Sequence, residues 1–140
     1  KDNYILRRYD PRDLFSSRLD ILQLMYDVNK EISPDIVFIP NSNDIHQSHK
    51  CVYEEAVRVF KNTTILGYEL PWNSIKFNMD VFISLDESDL AVKQEAINAF
   101  KTQLDRSFFS NDILSSLANV RGKQINKEYA ECFELIRMVC

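Results

Sequence analysis

"PDIVFIPNSNDIHQSHKCVYEEAVRVF", residues 34–60, decides how the rest of the chain is read, and it holds both histidines of the sequence. "DIVFI" (35–39) is a short, nearly continuous apolar run rich in β-branched residues. That is how a strand covered on both faces reads, as in a parallel sheet. Pro40 stops it, a polar loop "NSNDIHQSH" follows, and helical spacing begins near 46 and runs to about 61. Val52, Ala56 and Phe60 lie on one line of that helix, with Tyr53 and Val57 beside it.

Working outward, residues 11–32 read as an amphipathic helix. Phe15, Leu19, Leu22 and Tyr26 follow helical spacing, and Ile21, Met25, Val28 and Ile32 widen the same apolar side. Pro11 suits the first turn, with Asp10 as its N-cap. Ser33-Pro34 ends it, because the residue before proline is pushed away from α geometry. "TTILGYEL" (63–70), closed by Pro71, and "MDVFISL" (79–85) are further strands. Helical period returns at 87–106 through Leu90, Ile97, Phe100 and Leu104, and Asn111 to Arg121 forms a shorter helix ended by Gly122. "YAECFELIRM" (129–138) is ambiguous between helix and strand. The alternation predicts an α/β, Rossmann-like single domain, with a mainly parallel sheet flanked by helices.

Composition bounds the function. The 140 residues suffice for one domain with a real core. Hydrophobic residues at 45% and charged residues at 27% are ordinary for a soluble globular protein. The net charge of −4 is spread along the chain, so no basic stripe suggests nucleic acid. No apolar run is long enough to span a bilayer. Cys51, Cys132 and Cys140 lack CxxC spacing and read as free thiols of a reducing compartment, which makes a cytoplasmic location the expectation. The sequence leaves homo-oligomerisation open. It opens on Lys1 rather than Met, which leaves room for further residues before it.

Ligand sites in open α/β sheets gather at the carboxyl ends of strands. Asp44, His46 and His49 sit there, as donors to a metal or a polar substrate. With His49 in the first helical turn, the positive end of the helix dipole disfavours imidazolium and keeps a neutral ligand available. Two plainer readings compete. Asp44 followed by Gln47 fits a capping box, and a pair of histidines in a polar loop is usually just solvated. Spacing alone favours the plain reading, since a catalytic zinc site takes three protein ligands.

The wider string resembles the LmbE-like (PIG-L) family of metal-dependent N-acetylglucosamine deacetylases. Pro34, Asp35, Val37, Pro40, Asp44, His46 and His49 match its strand–loop–helix pattern in register. "KQEAINAFKTQ" is similar to its K-x-x-A…S-Q helix and "YAECF" to its Y-A-E-x-F ending, so the resemblance spans roughly residues 10–138. It implies zinc as cofactor, with His49 as a metal ligand. It also implies that His46 polarises the substrate carbonyl and stabilises the tetrahedral intermediate or leaving group. The implied partner is an N-acetylated amino-sugar conjugate, and the implied reaction is hydrolysis of its N-acetyl group.

Asp44 then orients the site, which the chemistry of metal-bound imidazoles makes sensible. Glu69 and Trp72 would line a sugar pocket or a core rim. Asp10 and Arg12 would face substrate or start a helix. Tyr129 and Glu131 would support the site, and Lys93 and Gln103, with Thr102 in place of the family's Ser, would be structural. Two departures stand out. Ser48 replaces the carboxylate between the histidines, and the A-H-P-D-D-E segment that supplies the other ligands and the general base is absent. The 140 residues therefore correspond to the C-terminal portion of such an enzyme, or to a version without its catalytic front, and are expected to be inactive alone.

Overall fold

The computed structural model describes residues 4–10, 12–101 and 111–140. Its elements run α1 (Arg18–Ile32), β1 (Ile36–Pro40), α2 (Gln47–Val59), β2 (Thr64–Tyr68), β3 (Val81–Leu85), α3 (Glu87–Asn98), α4 (Asn111–Gln124) and β4 (Tyr129–Arg137). The strands form one four-stranded mixed sheet in the order β1-β2-β4-β3. Thus the α/β architecture expected from the sequence is present, with a mixed rather than mainly parallel sheet, because β3 runs antiparallel to β4.

The chain divides into two compact units, one holding the residues through Phe77 plus Leu135–Cys140, the other Asn78–Glu134. In the first, β1 and β2 pair in parallel, with Val37 opposite Ile65 and Ile39 opposite Gly67. The connection between them is α2, as a parallel pair requires. Cys51, Glu55, Ala56 and Val59 are the buried positions of α2. Ala56, Val59 and Phe60 close over Ile39 and Ile65, with Leu22 and Met25 of α1 against the same cluster. The Arg137 guanidinium donates to the carbonyls of Phe60 (2.7 Å) and Val57 (3.4 Å) at the end of α2, where helical carbonyls lack intrahelical partners.

Arg18 ties α1 to α2. It pairs with Glu54 at 2.9 Å and with Glu55, whose fully buried carboxylate also meets Arg58 at 2.7 Å. In the second unit β3 runs antiparallel to β4, with Val81 opposite Phe133 and Leu85 opposite Tyr129.

Several boundaries and burials differ from expectation. Helix α1 starts at Arg18, and the residues from 12 to 17 form turns; Pro11 lies outside the described residues. Asp10 caps one of those turns, its Oδ1 accepting the Arg12 N–H at 2.9 Å, and is not the helix N-cap. Leu19 and Tyr26 are exposed although they share the apolar spacing, because α1 turns another side toward α2, and Phe15 is exposed in the turns before the helix. Strand β1 is an end strand and is covered only toward its end: Ile36 and Phe38 remain about half exposed, whereas Ile39 and Pro40 are buried.

Helix α3 ends at Asn98, and the expected continuation through Thr102, Gln103 and Leu104 lies outside the described residues. Gly122 falls inside α4 rather than ending it. A Cβ there would lie 2.5 Å from the Glu128 carbonyl oxygen, so close backbone approach explains this glycine better than helix termination does. The ambiguous segment at 129–138 is strand β4.

Candidate functional site

The parallel strand β1 ends in Pro40, and the next six residues turn across the end of β2 before α2 begins. Asn41 makes that crossing. Its side chain is fully buried, and its Nδ2 donates to the Tyr68 carbonyl (3.1 Å) and to Ser74 Oγ (2.8 Å). Its Oδ1 accepts the Asn43 N–H at 3.0 Å. The loop is then stitched to the segment after β2 by an Asp44–Ser74 bridge and by Ile45 N–H donating to the Asn73 carbonyl at 3.0 Å. None of Asn41, Tyr68, Asn73 or Ser74 was singled out by the sequence. The one signal was the position of Asn41, directly after the proline that closes a buried-type strand.

Asp44 is buried at the centre of this loop. Its Oδ1 accepts the backbone N–H of His46 at 2.8 Å, and its Oδ2 faces His49 Nδ1 at 2.7 Å. The expected capping box from Asp44 to Gln47 is replaced by a different device. His46 is the N-cap of α2, and its Nδ1 accepts the Ser48 N–H at 3.3 Å. His49 therefore stands in the first turn of the helix, as expected.

For rings in the neutral form, these contacts assign the protons. A carboxylate only accepts, so His49 carries its proton on Nδ1 and presents a lone pair at Nε2. His46 accepts at Nδ1, so its proton is on Nε2. Asn73 Nδ2 also approaches His49 Nδ1, at 3.5 Å, too far to compete with Asp44. The two rings are 4.6 Å apart between centroids and tilted by 33°. An electron-pair donor and an N–H donor are thus set side by side. Burial raises the Tyr68 hydroxyl pKa above its ordinary value, and the Asp44 charge adds to the effect.

The other residues singled out by the sequence fall as follows. Glu69 and Trp72 are half-buried in the segment that follows β2, and Ser48 is half-buried in α2. Asp10 and Arg12 are an exposed turn. Tyr129 opens β4 in the second unit, where neighbouring Glu128 chiefly raises its hydroxyl pKa. Glu131 forms an ion pair with Lys93, so the residues matched to two separate family motifs hold each other. Among the described residues no group of three or more His, Cys, Asp or Glu side chains could hold a metal ion. No helix among them is long and apolar enough to cross a membrane.

No family model and no curated protein matches this sequence. Among solved structures the chain is similar to teicoplanin deacetylase Orf2, known from the crystal structure of its zinc-inhibited form. The TM-score is 0.68 at 15% sequence identity, over 99% of this chain and 58% of that one. At that identity the likeness is one of fold, and the chain spans little more than half the length of the protein it resembles.

Proposed function

We propose that this chain is the histidine-bearing part of an LmbE-like (PIG-L) zinc-dependent deacetylase, acting on the N-acetyl group of an N-acetylglucosamine-type conjugate. The Asp44–His49 contact carries the reading. A buried carboxylate behind one imidazole nitrogen fixes the ring and makes the other nitrogen a better ligand. The donor set fits one ligand of a zinc site, His49 Nε2, and a catalytic site takes three. Residues beyond those described would complete it, together with the general base. Bound there, zinc would supply a Lewis acid that polarises the amide carbonyl and acidifies water. His46, with its proton on Nε2, donates to the oxygen on which negative charge develops. Asp44 holds both histidines for these separate tasks.

The fold shared with a deacetylase supports the reaction class. A second reading, a sugar- or partner-binding remnant of the same fold, is favoured by Ser48 and by the described residues, among which no three His, Cys, Asp or Glu side chains form a group that could hold a metal ion. Acetate release from N-acetylglucosamine conjugates with added zinc separates the two. The 140 residues alone should release none, and a version extended upstream should turn over. Turnover by the 140 residues alone would refute the need for further ligands. A silent extended version that still binds the conjugate would favour the remnant.

A further inference from the structure

We propose that Asn41 is a positioning residue that decides which nitrogen His49 presents. The inference rests on reading His49 as an electron-pair donor, and it concerns a residue whose side-chain hydrogen bonds go to Tyr68, Ser74 and Asn43 and to neither imidazole. The Asn41 side chain uses both ends of its amide, donating to Tyr68 and Ser74 and accepting from Asn43. Its backbone carbonyl accepts the Asp44 N–H at 3.3 Å. Asp44 in turn touches both histidines. The histidine loop is therefore tied to the end of β2 itself through the buried Asn41 amide, beside the Asp44–Ser74 bridge and the Ile45–Asn73 bond to the segment that follows.

The backbone behind it is fitted to the same purpose. A Cβ on Gly67 would lie 2.9 Å from Asn41 Cα and 3.1 Å from Ile136 Cδ1. The second neighbour is the end of a flexible side chain and can move, but the first is backbone. Gly67 thus leaves the space in which Asn41 crosses β2, and filling it displaces Asn41 without altering any polar group.

The test is long-range ¹H–¹⁵N NMR of the imidazole rings at about pH 8, where an ordinary imidazole is neutral. It compares wild type with Asn41→Ala, Gly67→Ala and Ser74→Ala. Wild type should show His49 protonated at Nδ1 and His46 at Nε2. In Asn41→Ala and Gly67→Ala the separation between the two nitrogens of His49 should collapse toward the average of the tautomers. Ser74→Ala, which removes one of the three amide bonds, should give a partial loss.

An Asn41→Ala protein that merely melts earlier, with the His49 pattern intact, would overturn the proposal. Should Asn41→Ala fail to fold, an unchanged His49 pattern in both Gly67→Ala and Ser74→Ala would overturn it equally. The readout needs neither zinc nor substrate. Loss of the tautomers in these variants, beside an upstream-extended protein that never releases acetate, would sink the deacetylase reading and leave the role of Asn41 standing.

Discussion

Asp44 and His49 face each other across 2.7 Å, the carboxylate completely buried and the imidazole about a third exposed. The ring is thus anchored through Nδ1 on a carboxylate that solvent does not reach. Replacing Asp44 by Asn removes the charge and lets the amide donate to Nδ1 instead. That reverses the tautomer and puts a proton where the lone pair should be. Zinc affinity of an upstream-extended protein should fall by about 10- to 100-fold, as for lost partners of metal-bound histidines. Titration against a chromogenic chelator measures it, and unchanged affinity would count against the assignment.

The two histidines should separate in their effects. In the same extended protein, His49→Ala should strip the metal, seen as loss of zinc by elemental analysis. His46→Ala should keep the metal and slow turnover by about 100-fold, the scale of one lost oxyanion donor. Equal zinc content in wild type and His49→Ala would rule out His49 as a ligand.

Arg18→Leu should loosen α1 from α2. It leaves the buried Glu55 carboxylate with Arg58 alone and breaks the contact to Glu54. The cost should be about 2 kcal/mol, below that of a fully buried pair because Arg18 is partly exposed and Arg58 remains. Urea unfolding checks this, and Arg58→Leu should cost less.

Gly122→Ala is the sharper backbone test. In most helices that change stabilises, by up to about 1 kcal/mol. Here the added methyl meets the Glu128 carbonyl oxygen at 2.5 Å. The sign should reverse, with a loss of about 1–3 kcal/mol typical of overpacking, read from the urea midpoint.

Asp86 gives a pH signature. Its carboxylate accepts from Ser88 Oγ at 2.6 Å and from the Asp89 N–H at 2.9 Å, and these bonds, the Ser88 hydroxyl first, hold its pKa below the ordinary carboxylate value. A group whose folded pKa is depressed stabilises the fold above its unfolded pKa and loses that contribution as pH falls through the folded one. Acidification below about pH 4 should therefore lower the urea midpoint of wild type more steeply than that of Asp86→Ala. Parallel curves would show that the cap contributes nothing.

The sequence made the strands and helices legible where apolar spacing was strong: Ile36–Pro40, Gln47–Val59 and Thr64–Tyr68 all fall close to their expected limits. It misread which faces are covered. Leu19 and Ile21 look equivalent as apolar residues, yet one is exposed and the other buried, because the direction of packing is a tertiary fact. In the site, Asp44, His46 and His49 were readable as residue types. Their division of labour was not, since it depends on which nitrogen meets a carboxylate and which meets a backbone N–H. Asn41 escaped notice because a single asparagine in a polar loop carries no periodic signal.

Ile36 and Phe38 leave an oily strip at the end of the sheet, on the strand that leads into the histidine loop. Its practical outcome is colloidal. Sheet ends with exposed apolar side chains recruit other chains, so the 140-residue polypeptide should cloud on concentration and gain solubility when Phe38 is changed to Lys. That substitution lies outside the histidine loop, and it would yield material on which the zinc and NMR measurements become practical.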